Sequence, residues 1–186
     1  CNPADPKLLG FECHRVLREA ADGPYDVFGY MEDDLVITDP DFFRKQAHFN
    51  RCFGNGYLLQ PNRIETSEDL RRLMRFYIDG DYLPAASEAW RQSMGHDLAM
   101  EHLGEVVHFR QPFNLHSGCF FLNRNQALHY FASAASQSID TRYHGPLESA
   151  ASLGMMQTFQ IMKPVWRNGS FLTIEHAGRN FMGLLR

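Results

Sequence analysis

Three adjacent carboxylates, Glu32, Asp33 and Asp34, interrupt an otherwise apolar stretch of this chain. Val-Phe-Gly-Tyr-Met precedes them at 27–31, the composition of a buried strand, and Leu35, Val36 and Ile37 follow. Carboxylates crowded between apolar segments repel one another and lose hydration. A cation offsets both penalties, and hard divalent ions such as Mg²⁺ and Mn²⁺ prefer oxygen ligands. If the strand runs on through the triplet, Glu32 and Asp34 point to one side and Asp33 to the other. One ion can then be held from one face. The triplet also falls at the carboxyl end of its strand, where open α/β sheets place their ligands. The plainer alternative is an acidic turn that only ends a strand, and the apolar runs on both sides weigh against it.

The rest of the composition narrows the class. The 186 residues suffice for one domain with a real core, and 44% hydrophobic with 22% charged residues is ordinary for a globular protein. A net charge of −4 with a pI near 6.1 disfavours nucleic acid as a partner. No apolar run reaches the roughly 18 residues of a membrane span. Cys1, Cys13, Cys52 and Cys119 form no CxxC pair. That spacing argues against a zinc cluster and fits reduced thiols in the cytoplasm, with peripheral membrane association left open. A chain that opens on Cys1 rather than Met is expected to be processed or a piece of something longer.

Apolar spacing at Leu9, Cys13, Val16, Leu17 and Ala20 predicts a helix over 6–21, stopped by Asp22-Gly23-Pro24. Asp39-Pro40 predicts the next helix start, with Asp39 as N-cap and an end near Gly54. Residues 56–61 read as a buried strand. Thr66 is positioned to cap a short helix over 66–76, and 84–95 reads as an amphipathic helix. Residues 97–110 suggest an irregular or strand-containing insertion. His116-Ser117-Gly118 enters a strand at 119–122, and Asn123 with Gln126 resembles a capping box opening a helix to about Ser136. A helix over 146–159 should bury Leu147, Ala151, Met155 and Phe159. Ile161-Met162 is a short strand, Asn168-Gly169 a hairpin turn, and 171–174 a last strand leading to Glu175-His176. Strands alternating with helices predict a layered α/β domain with a mixed β-sheet and flanking helices.

Beside the triplet, three features can carry chemistry. Gly118, in the turn of His116, Ser117 and Gly118, lets backbone pass close to a ligand; an ordinary tight turn is equally expected. Glu148 lies in a helix's first turn, where it either complements the dipole or serves as a general base on an acceptor hydroxyl. His176 ends the last strand, and imidazole suits Mn²⁺-type ions beside carboxylates, though a lone His is more often structural. Asp79-Gly80-Asp81 reads first as a charged turn and second as an ion or sugar-hydroxyl site.

Tyr-Met-Glu-Asp-Asp-Leu-Val-Ile at 30–37, after an aromatic strand, resembles the acidic metal motif of GT-A-type glycosyltransferases. The order of features is similar to that superfamily across about residues 7–181: acidic motif, glycine loop at Ser117-Gly118, helix-start acid Glu148, late His176. Glu32 replaces the usual Asp at the first motif position. The resemblance implies a GT-A-like, Rossmann-like sheet. It implies that the motif and His176 hold Mn²⁺ or Mg²⁺ on the diphosphate of a nucleotide-sugar donor, with Asp33 beside them. It also implies that the glycine loop and Glu148 face the acceptor. Only one helix precedes the acidic strand, so the nucleotide-binding half of such enzymes is expected to be missing, and residues 1–186 to be the C-terminal part of a longer domain.

These readings converge on a metal-dependent glycosyltransferase that moves a sugar from a nucleotide-diphosphate donor to a carbohydrate or other hydroxyl acceptor, inverting the anomeric centre if Glu148 is the base. The rivals are a metal-dependent phosphotransferase or hydrolase, which would recruit Asp79 and Asp81 for a second metal, and a non-catalytic carbohydrate-binding remnant of the same fold.

Overall fold

The computed structural model describes residues 5–67, 74–80, 85–92, 95–178 and 181. The chain forms a mixed α/β structure in which several sheets, together containing parallel and antiparallel pairs, carry helices on their flanks. Helix α1 (Leu9–Glu19) follows a 3₁₀ turn at Pro6–Leu8. Strand β1 (Val27–Met31) leads to the acidic triplet and β2 (Leu35–Val36) leaves it. Helix α2 (Phe42–Phe53) ends at Gly54, whose φ of 83° suits a residue without Cβ. Next come β3 (Tyr57–Leu59), β4 (Asn62–Thr66) and β5 (Arg75–Tyr77), then the short α3 (Ala85–Glu88). A hairpin of β6 (Leu98–His102) and β7 (Glu105–Arg110) turns at Leu103 and Gly104, both with positive φ. After it come β8 (Cys119–Asn123) and α4 (Arg124–Ala132). A continuous helical run then joins α5 (Pro146–Glu148), a π-type turn at Ser149–Leu153 and α6 (Gly154–Thr158). The last strands are β9 (Gln160–Pro164) and β10 (Thr173–His176).

Period-two alternation explains how the core is divided. In β8, Phe120 and Leu122 join one apolar cluster, and Cys119 and Phe121 join another. Leu58 and Leu59 in β3, and Ile161 and Met162 in β9, split the same way. The first cluster packs under α1, α4 and the helical run from Pro146. The second packs under α2, through Phe42 and Phe49. Strands buried on both faces must be apolar, and β8 is so over residues 119–122, ending on the partly buried Asn123.

Topology places the site. Strand β1 pairs antiparallel with β8. Strand β10 lies between β2, antiparallel, and β4, parallel. The end of β10 therefore comes beside both the acidic turn and the end of β4.

Several local expectations are corrected. Strand β1 buries only Phe28 and Tyr30, because one of its faces is open. In α1, Leu9 and Val16 are exposed and the buried positions are Gly10 and His14, so the inward face is rotated. Gly10 suits that face because a Cβ there would lie 2.6 Å from Ala150 Cβ. Asp39 is not an N-cap. Its carboxylate accepts from the Asp41 N–H and from Lys45, and α2 begins at Phe42. Thr66 ends β4 instead of capping a helix, and residues 75–77 are strand; 68–73 lie outside the described residues. Of the helix expected over 84–95, the described residues are helical at Ala85–Glu88 and not at 89–92 or 95; 84, 93 and 94 lie outside the described residues. Helix α4 stops at Ala132, before a separate 3₁₀ turn at Ala134–Gln137. The π-type turn shifts helical phase, which leaves Leu147 exposed while Ala151, Met155 and Phe159 are buried. Asn168-Gly169 lies within a 3₁₀ segment (Trp166–Phe171), not a hairpin turn. The last strand is displaced to 173–176.

Candidate functional site

The acidic triplet is a turn. Strand β1 stops at Met31, and the Leu35 N–H donates to the Glu32 carbonyl at 3.2 Å, closing residues 32–35. Period-two alternation therefore does not govern Glu32, Asp33 and Asp34, which corrects the expectation of two carboxylates on one strand face. Asp33 and Asp34 are exposed and Glu32 is partly buried. The Glu32 N–H donates to the Gly118 carbonyl at 3.0 Å, extending the β1–β8 ladder by one rung. Its carboxylate lies against Gly118. A Cβ at 118 would stand 2.6 Å from Glu32 Oε2, and φ there is 64°. Contact and conformation both select glycine.

The other side of the turn is closed by β10. The Ala177 N–H donates to the Asp34 carbonyl at 2.7 Å, and His176 pairs with Leu35. His176 is 7% exposed, with Nε2 3.1 Å from Asp34 Oδ2 and Nδ1 2.9 Å from Glu65 Oε1. The Gly178 carbonyl also faces Nδ1 at 3.1 Å. Two acceptors behind Nδ1 hold the proton there, which turns the Nε2 lone pair toward a carboxylate. Two electron-rich atoms facing at that distance need a proton or a cation between them. A carboxylate behind a histidine is also the arrangement that orients metal-ligating imidazoles. A proton on the ring meets that need, and the carboxylate and imidazole are also donors of the type that divalent ions take.

Glu65 escaped the sequence reading. It is fully buried, at the third step along β4 from Asn62. Its signal was an acid inside the short segment Asn-Arg-Ile-Glu-Thr, soon after the apolar Tyr-Leu-Leu at 57–59.

Electrostatics draw Glu148 and His116 into the same neighbourhood. Burial raises the Glu32 pKa, Arg63 opposes the rise, and the Asp34 and Glu148 charges add to it. Glu148 is in the first turn of α5, partly exposed, as the sequence placed it. His116 Nδ1 lies 2.9 Å from Ser152 Oγ, and its Nε2 is 3.9 Å from Glu32 Oε1. Burial, helped by Arg63, pushes the His116 pKa down to about 3, so the ring is neutral and makes no ion pair with Glu32. Ser117 is fully buried, with its hydroxyl 3.0 Å from the Pro61 carbonyl and 3.3 Å from Gln60 Oε1. It anchors the loop rather than presenting itself to a ligand.

Asp79 has a different use from an ion or sugar turn. Arg63 Nε–H donates to Asp79 Oδ1 at 2.7 Å, and Lys163 Nζ to Oδ2 at 2.8 Å. Burial disfavours its charge, but Lys163 and Arg63 outweigh that and hold the carboxyl below its usual range. Lys163 also donates to the His116 carbonyl at 2.8 Å, tying this ion cluster to the glycine loop. Asp81 lies outside the described residues.

The structure thus brings Asp34, His176 and Glu65 into contact, and places Glu32 against Gly118 beside them. Among the described residues no three His, Cys, Asp or Glu side chains stand assembled as a metal cage. Among them also, no helix is long and apolar enough to cross a membrane. No protein-family profile, curated protein or solved structure matches this chain.

Proposed function

We propose that this chain carries the metal-holding and catalytic part of a GT-A-like glycosyltransferase that takes its sugar from a nucleotide-diphosphate donor. The observation that carries the reading is His176 Nε2, 3.1 Å from Asp34 Oδ2 and backed by buried Glu65. Asp34 and His176 would hold Mn²⁺ or Mg²⁺, with Glu32 adjacent. Small hard ions commonly take one or two protein ligands and complete their shell with substrate phosphate and water, so an incomplete protein cage fits this role. When bound, the ion supplies Lewis-acid neutralisation of the leaving diphosphate. Asp34 and His176 would hold that ion at the acidic turn. Gly118, carrying no Cβ, leaves Glu32 room at the turn. Glu148, across from Glu32, is the group available to take a proton from an acceptor hydroxyl. A two-metal phosphotransferase is less well supported, because Asp79 is committed to Arg63 and Lys163.

Mn²⁺ titration by calorimetry, with donor-sugar hydrolysis as the second readout, tests the reading. Asp34→Asn is expected to abolish both while the melting temperature holds, since Asp34 is exposed and outside the core. Unchanged Mn²⁺ affinity in Asp34→Asn would overturn the metal site. Mn²⁺ binding without turnover would favour a non-catalytic carbohydrate-binding remnant.

A further inference from the structure

On the far side of the Arg63–Asp79–Lys163 cluster lies a cavity of about 330 Å³ that the acidic site does not use. Its volume is at the small end of ligand pockets, the size for one or two sugar rings. Three properties of its lining restrict what can fill it. First, Trp166, Phe113 and Pro164 present flat apolar surfaces. Trp166 is 57% exposed and Phe113 38%, so both stand at the surface, and Tyr77 braces Trp166 edge-on at 5.2 Å between centroids. Second, Gln111 lines the cavity at 4% exposure, and its Oε1 has no hydrogen-bond partner among the described residues. A buried amide oxygen left so is costly unless a donor reaches it. Third, the charges in the lining are already matched. Asp79 is paired with Lys163, and Arg110 with Asp97. Among the described residues, the lining offers a phosphate or carboxylate no cation that lacks a carboxylate partner.

A neutral ligand with an apolar ring face and hydroxyl donors meets all three conditions. We propose that this cavity binds a pyranose ring of a carbohydrate, stacked on Trp166 and donating a hydroxyl to Gln111. Its floor is one residue from the acidic site: Lys163 Nζ holds the His116 carbonyl, and the His116 ring reaches toward Glu32. Assigning the ring to the acceptor substrate rests on the transferase reading; the affinity of the cavity for a sugar does not.

The test follows the Trp166 indole N–H by ¹H–¹⁵N NMR, in EDTA and without donor, during titration with a panel of methyl pyranosides and their β-linked disaccharides. Trp90, which packs against the core cluster under α1, is the internal control. A saturating shift at Trp166 and not at Trp90 is expected, with disaccharides binding more tightly than single rings. Trp166→Ala, which lacks the reporter indole and is therefore titrated by calorimetry beside the parent, should weaken binding ~5- to 10-fold, the worth of one aromatic contact. Gln111→Leu should weaken it comparably, and each variant is checked by its melting temperature. Asp34→Asn should bind the same sugars unchanged, which separates failure of the cavity from failure of the metal site. An indole resonance that no glycoside moves would overturn the proposal. So would a shift produced by uridine and by no sugar, which would make the cavity a base pocket.

Discussion

At the scale of single residues, Gly118 and Glu148 answer different questions. Gly118→Ala must accept a left-handed backbone and push the Glu32 carboxylate aside. The backbone conformation alone costs about 1–2 kcal/mol, and urea unfolding should show at least that loss. Mn²⁺ affinity should fall with it, because the acidic turn is seated on this residue. Glu148→Gln should leave stability and donor affinity close to those of the parent while turnover drops ~10²- to 10⁴-fold, the usual worth of a general base. Near-normal turnover with a lowered melting temperature would instead assign Glu148 to the helix dipole. The sequence made Glu32, Asp34 and Glu148 conspicuous because carboxylates beside apolar runs are rare. It hid Glu65, since a buried acid is recognisable only through its partner, and His176 is 111 positions away.

At the scale of elements, local rules were legible where local forces decide. Asn123 and Gln126 form both bonds of a capping box, and Gly54 ends α2. Rules failed where tertiary packing decides. The π-type turn buries all five of its residues against the core, a register no helical period anticipates. The α1 face is set by His14, which sits among Phe11, Tyr30, Phe120 and Tyr130 with Nδ1 3.2 Å from the Tyr130 hydroxyl. Burial lowers the His14 pKa to about 4. A depressed histidine binds fewer protons folded than unfolded between that value and about 6.5. Its contribution is fully present above about 6.5, and is lost as pH falls toward 4, by an amount on the order of 3 kcal/mol. His14→Phe keeps a ring in the cage and removes the titration. Unfolding free energies at pH 7 and pH 4.5 should differ less in that variant than in the parent; an equal difference would place the acid sensitivity elsewhere, with His116 the next group to replace.

At the scale of the whole molecule, the Arg63–Asp79–Lys163 cluster joins three separated pieces of chain: β4, the turn after β5, and β9. Lys163→Met removes one cation from a buried set and leaves Asp79 with Arg63 alone. A loss of about 3–5 kcal/mol is expected, large enough to appear in any thermal or urea melt. A loss under about 1 kcal/mol would mean that Arg63 neutralises Asp79 unaided. The position of β10 carries a further consequence. This strand lies between β2 and β4, yet among the described strands it is the last in chain order. Until it arrives, β2 and β4 have no partner between them, Glu65 lacks the imidazole it orients, and the acidic turn is open on one side. A ribosome-tethered chain released only through residue 172 should thus already hold the carboxylates of the turn after β1 and bind no Mn²⁺. On the transferase reading, competence for the metal is then acquired in one step, when β10 takes its place between β2 and β4.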